Sequence, residues 1–249
     1  MHTSLYQQAG LDQHFENLWR EIDAEYRSLP KRQVAPAVDE KVQEHIRQQF
    51  DPAHLKSTIL EFWQNQLSSA DVSVISQWLG SATGRKLTLA EIDASLSNDD
   101  AQYSRYLADL KNSPPTKLRI DLLRRLDKSV RASAASTDLG IHINLAAVTA
   151  QHAAGLAPAD ANTPEQQAKS HESDRAFIRA MMRQSTLKYN LFTYRHLDDQ
   201  ALREYIGFAE SPAGENYHRS TFFAVREAMN KATLELERLL LGQNQQASR

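Results

Sequence analysis

The chain has 249 residues, 41% of them hydrophobic and 24% charged, with 29 basic and 31 acidic side chains; this is an ordinary globular composition and excludes a disordered or fibrous chain. A formal net charge of −2 supplies no basic footprint for nucleic acid, and the absence of cysteine excludes disulfides, thiol catalysis and zinc–thiolate sites. No apolar run approaches the ~20 residues of a membrane span, and no charged-then-apolar leader opens the chain, so the expectation is a cytosolic protein or a mature form without its leader.

The periodicity is helical from the start. Leu11, Phe15, Leu18, Ile22, Tyr26 and Leu29 recur at steps of three and four, which makes one apolar stripe. Pro30 ends that helix. Val38, Val42, Ile46 and Phe50 continue the spacing. Asp51-Pro52 restarts a helix, with Asp51 as N-cap and Pro52 in the first turn; Ile59, Phe62, Trp63 and Leu67 complete it. Thr88 and Glu91 stand at capping-box spacing before Ile92 and Leu96. Ser113-Pro114-Pro115 interrupts the pattern. Leu118, Leu122, Leu126 and Val130 carry the next helix. Residues 150–170, rich in Ala, Pro and Gln, read as a loop with a helix restart near Thr163-Pro164-Glu165. The last helix carries Phe222, Val225, Met229, Leu236 and Leu240 and is expected to end at Gly242, before a mobile polar tail, 242–249. Period-two alternation and hairpin dipeptides are absent. The predicted fold is all-α.

One stretch occurs twice. "LSSADVSVISQWLGSATGRKL" (67–87) aligns without a gap with "LDDQALREYIGFAESPAGENY" (197–217), at a constant offset of 130 residues (position 84 to position 214). Trp78 pairs with Phe208, Ser81 with Ser211, Gly84 with Gly214 and Leu87 with Tyr217. A period this long predicts a duplicated domain rather than a solenoid: a first bundle over 1–112 and a related second one over 113–241, opened by a connecting helix.

The repeat also decides what GSATGRK is. A phosphate-binding loop needs G-x-x-x-x-G-K-[ST] between a strand and a helix. Only three residues separate Gly80 from Gly84, Leu87 stands where Ser or Thr is required, and the second copy has Glu215 in place of Arg85. The shared core, Ser-x-x-Gly, reads as a corner between two helices. Ser81 and Ser211 act as N-caps, Pro212 suits the first helical position, and Gly84 and Gly214 permit close backbone approach.

These corners, above all "LFTYRHLDDQALREYIGFAESPAGENY" (191–217), together with "SLYQQAGL" (4–11), resemble the family catalogued as domain of unknown function 2059. The first copy departs from the pattern in having Trp78 for Phe and Ala82 for Pro. The resemblance covers about a quarter of the chain. It implies an all-helical, secreted or periplasmic bacterial protein, and it brings no catalytic residue with it.

Other chemistry is sparse. No HExxH metal motif and no G-x-S-x-G nucleophile elbow occurs. A single Glu215-x-x-His218 falls short of the two such motifs and two further Glu of a di-iron bundle, so His218 is expected at the surface or in a cap. Asp99-Asp100 and Asp198-Asp199 read as charges complementing helix starts. Trp19, Trp63 and Trp78 lie on apolar stripes and read as core anchors. Lys117–Arg131 forms a basic amphipathic helix; Arg119, Arg124, Arg125 and Lys128 are its candidate surface for an acidic partner or lipid headgroups, set against a solvated connecting face. The expectation is a non-enzymatic, extracytoplasmic protein acting through protein contacts, with no cofactor and no metal. The alternative is a carrier of an apolar ligand or lipid between the two bundles.

Overall fold

The computed structural model describes residues 1–32, 36–96 and 100–247 and is all-α, with thirteen helices and no strand among the described residues. In chain order these are α1 (His2–Gln8), α2 (Leu11–Phe15), α3 (Leu18–Ser28), α4 (Pro36–Gln49), α5 (Pro52–Gln66), α6 (Ser69–Leu79) and α7 (Ala82–Leu96). They are followed by α8 (Asp100–Asp109), α9 (Lys117–Val130), α10 (Ala132–Ala153), α11 (Pro164–Thr193), α12 (Asp199–Ala209) and α13 (Pro212–Ala247). None of the helices is long and apolar enough to cross a membrane among the described residues.

Capping chemistry sets most of the helix starts. The Ala53 amide donates to Asp51 at 2.9 Å, with Pro52 opening α5. Ser68 and Asp71 form a reciprocal capping box at α6. Thr116 receives the Arg119 amide at the start of α9, and Asp198 receives the Ala201 amide at the start of α12. Each such cap satisfies an amide that the first turn would otherwise leave unpaired.

Four boundaries differ from the sequence expectation. The stripe from Leu11 to Leu29 is carried by two helices, α2 and α3, with Asn17 at the N-cap position of the second. Thr88 and Glu91 do not open a helix; both lie inside α7, whose first turn is already capped by Ser81. The loop expected over 150–170 shrinks to 154–163, because α10 runs to Ala153 and α11 begins at Pro164. Alanine is the best helix former, and Ala146, Ala147 and Ala150 are wholly buried. Gly242 does not end the last helix, which continues to Ala247; one interior glycine costs a helix only ~1 kcal/mol. Residues 248–249 of the expected tail, and Asp99, lie outside the described residues.

The chain divides into two compact units. Unit one comprises Met1–His14, Leu60–Ser136 and Arg179–Phe223, and unit two comprises Phe15–Ile59, Thr137–Ile178 and Ala224–Arg249. Each draws on residues from both sides of position 112, and the limits fall inside helices, including α5, α10, α11 and α13.

In unit two the core is built from Ile22 and Tyr26 of α3, Val42 and Ile46 of α4, and an alanine-rich lining from α10 and α13 (Ala146, Ala150, Ala224, Ala228). Several of its polar groups pair internally. Asn144 donates to Glu25 at 2.6 Å and bonds His171 at 2.7 Å. Asp39 accepts from Tyr26 at 2.7 Å and from Lys31 at 3.0 Å. These bonds order a core whose small side chains bring helices close but leave little apolar area per residue.

In unit one, Tyr6, Trp63, Val72, Ile75, Leu123 and Leu126 are almost wholly buried. α9 packs along α12, and Leu122, Leu123 and Leu126 are its buried residues. Tyr6, Trp63 and Tyr217 form a chain of tilted rings with centroids 6.1 and 5.8 Å apart, a spacing that favours aromatic pairs. Of these rings, Tyr217 also lines the cavity described next.

Candidate functional site

The two Ser-x-x-Gly corners have the same geometry. The Gly84 amide donates to Ser81 Oγ at 2.9 Å, and the Gly214 amide donates to Ser211 Oγ at 3.1 Å. Pro212 is the first residue of α13. A Cβ added to Gly84 would lie 2.9 Å from the Trp78 carbonyl carbon, and one added to Gly214 would lie 2.8 Å from that of Phe208. Each glycine lets the first turn of one helix cross the last turn of the helix before it. The amides that an anion would need are partly spent: Ser81 takes both the Gly84 and Arg85 amides. Arg85 itself donates to the Gly80 carbonyl, and Lys86 is exposed. This is a packing corner and not a phosphate cradle.

The corners face one another. Trp78 and Phe208, which occupy equivalent positions, stack with centroids 4.9 Å apart and planes 10° from parallel. Tyr205 stacks on Trp78 from α12 at 6.0 Å. Beside this stack lies a cavity of about 190 Å³, walled by Leu87, Thr88 and Glu91 of α7, by Tyr217, His218 and Thr221 of α13, and by His14 of α2. The α7 positions Gly84, Leu87, Thr88 and Glu91 are spaced three, four and seven apart and therefore share one helix face. On α13, Gly214, Tyr217, His218 and Thr221 repeat that spacing at an offset of 130. At the last position α7 places a carboxylate, Glu91, and α13 a hydroxyl, Thr221, and both line the cavity.

Glu91 is the polar centre. Tyr194 donates its hydroxyl to Glu91 Oε1 at 2.6 Å, and Tyr205 is a second hydroxyl partner. Burial raises the Glu91 carboxyl above the ordinary carboxylate range, and the two tyrosine hydrogen bonds pull the other way. The tyrosine hydroxyls are raised in turn, by burial first and then by the Glu91 charge. Burial also holds His218 neutral, its pKa pushed down to about 3, and lowers that of His14. His218 Nε2 and Thr221 Oγ1 are buried and find no hydrogen-bond partner among the described residues. An unsatisfied buried polar group costs ~1–3 kcal/mol, so these two atoms mark a place where a guest molecule gains more than area.

The structure corrects the reading of His218 as a surface or capping residue: it turns into the cavity, while Glu215, three residues before it, is exposed. The Glu-x-x-His spacing does not bring the two side chains to a common task. No group of three or more potential metal ligands occurs among the described residues. Of the tryptophans, Trp63 is fully buried, Trp78 is a cavity wall, and Trp19 is half-buried with the Arg20 guanidinium 5.3 Å from its ring.

The basic residues of α9 are unequal. Arg119 is 17% exposed, pairs with Asp199 at 2.7 Å and donates to the Tyr194 carbonyl at 2.6 Å. It therefore anchors the residue whose hydroxyl meets Glu91. Arg125 grips Glu210 with two bonds of 2.8 and 2.6 Å. Arg124 is exposed, 3.9 Å from Asp121, and Lys128 lies near enough to lower the Glu210 carboxyl pKa. Arg119 and Arg125 thus hold α9 to the two ends of α12. Of the paired acids, Asp198 caps α12 while Asp199 takes Arg119.

Comparison with family models, with curated proteins and with solved structures finds no match for this chain. The resemblance to the domain of unknown function 2059 family rests on its quoted residues alone.

A further site-forming signal lies in the alignment of the two similar stretches. Extending the alignment one helical turn past Leu87 and Tyr217 pairs Thr88 with His218 and Glu91 with Thr221, four residues that line a single cavity. Tyr194 and Arg119 carry no such signal; only packing brings them to Glu91.

Proposed function

We propose that this chain is a non-enzymatic binder of a small molecule held in the unit-one cavity. The observation that carries the reading is the pair of partnerless buried atoms, His218 Nε2 and Thr221 Oγ1, on the wall of an aromatic-lined space. Its volume of about 190 Å³ exceeds the ~150 Å³ of an engineered cavity that holds benzene, so a ligand of fewer than about ten heavy atoms fits. Binding rather than catalysis is favoured because His218 has nothing to orient or activate it. Two related bundles, an origin by duplication and a periplasmic or secreted location belong to the same proposal and rest on the repeat and the family resemblance. Protein contact is the second reading, favoured by Leu234 and Leu241, exposed and seven residues apart on α13.

The test is native mass spectrometry of the protein purified from its own host. A co-purifying small molecule is expected, and it should be lost from Thr221→Phe, which fills the cavity. A chain of bare mass, with the wild type and the filled variant indistinguishable, overturns the ligand reading.

A further inference from the structure

The cavity wall combines one carboxylate with several aromatic rings and hydroxyl groups. Glu91 supplies a carboxylate with about four lone-pair sites, of which Tyr194 and Tyr205 use two. His218 Nε2 and Thr221 Oγ1 add polar atoms without a partner among the described residues. Trp78, Tyr205, Phe208 and Tyr217 bring four aromatic rings to the same space. Among the described residues no lysine or arginine lines it, and its only basic groups are His14 and His218.

We propose that the ligand is a small organic ammonium ion, seated against the aromatic rings with its positive charge toward Glu91. The assignment rests on the cavity being a ligand site and adds the chemical class. A cation gains from the faces of aromatic rings within about 6 Å, more so when desolvated, and it supplies the countercharge that a buried carboxylate otherwise lacks. An anion would meet Glu91 with no compensating base. An apolar ligand of the same size would leave His218 and Thr221 unmatched and Glu91 without a countercharge. The depressed basicity of His14 and His218 fits this charge balance, because neither competes as a cation near neutral pH.

The experiment is calorimetric titration of the full chain with choline and with its uncharged isostere, 3,3-dimethylbutan-1-ol, at neutral pH. Choline is expected to bind wild type at least about tenfold more tightly than the isostere. Glu91→Gln keeps an acceptor for the tyrosine hydroxyls and should erase that preference, while Thr221→Phe should abolish binding of both. A second arm needs no variant. Lowering the pH protonates Glu91, so choline affinity should fall while isostere affinity does not. The groups facing Glu91 are Tyr194, Tyr205, Tyr217, His218 and His14; a histidine origin of the pH effect would leave it intact in Glu91→Gln. Equal binding of choline and isostere, or unchanged choline binding by Glu91→Gln, overturns the ammonium assignment. If the isostere binds and Thr221→Phe blocks it, the ligand site survives without the cation. If neither compound binds, the ammonium assignment falls and the co-purification experiment alone decides the cavity reading.

Discussion

Alanine at Gly84 or Gly214 should destabilise the protein, although alanine is the better helix former. The new Cβ would sit 2.9 Å from the Trp78 carbonyl carbon and 3.1 Å from Leu79 Cα at the first corner, and 2.8 and 3.0 Å from Phe208 C and Ala209 Cα at the second. Ordinary contact begins near 3.4 Å, so the crossing turns must separate by about 0.5 Å or more. All these neighbours are backbone atoms, and no rotamer change relieves them. Overpacking of this kind costs ~1–3 kcal/mol, while the gain in helix propensity returns at most ~1, which leaves a net loss of up to about 2 kcal/mol for each variant. In a chain of 249 residues that corresponds to a fall in melting midpoint of up to roughly 8 °C. Gly140 and Gly207 are the internal controls. Both lie exposed within helices, with nothing within 4 Å of an added Cβ. Alanine there should stabilise by up to ~1 kcal/mol. The assay is thermal and denaturant unfolding of the four single variants side by side. If Gly84→Ala and Gly214→Ala stabilise as the controls do, the corners are not close crossings and the argument fails.

The buried histidine makes stability pH-dependent. His218 is held near pKa 3 in the folded chain against 6.5 for an unperturbed imidazole, so between those values the unfolded chain binds the extra proton and stability falls as pH drops, with a slope approaching ~1.4 kcal/mol per pH unit. Glu91, raised in the folded state, acts with the opposite sign just above the ordinary carboxylate pKa. Acid unfolding of His218→Asn should therefore be shifted to lower pH than wild type, and an unchanged acid limb would show that His218 is not held neutral. Arg119→Ala removes a largely buried guanidinium that serves both Asp199 and the Tyr194 carbonyl, and should cost ~1.5–3 kcal/mol. Arg124→Ala, exposed and 3.9 Å from its partner, should change stability by less than ~0.5 kcal/mol; equal effects in denaturant unfolding would mean that Arg119 holds nothing in place.

The sequence by itself determined the helices and the corners. Their signals are local: apolar residues at steps of three and four, Asp51 and Ser81 at the caps, and a glycine three residues after each corner serine. These features act through one turn of backbone, so reading along the chain is enough to find them. Thr88 and Glu91 show where that stops, because a capping-box spacing inside an established helix has no free amides to cap. Only the tertiary structure decided that Glu91 turns inward onto Tyr194 and Tyr205, over a hundred positions away in sequence. It also decided that Arg119 anchors Tyr194 and that His218 lines a cavity beside the Trp78–Phe208 stack. A side chain's partners, burial and pKa depend on which helices cross, and crossing is set by packing across the whole unit and not by the residues next in the chain.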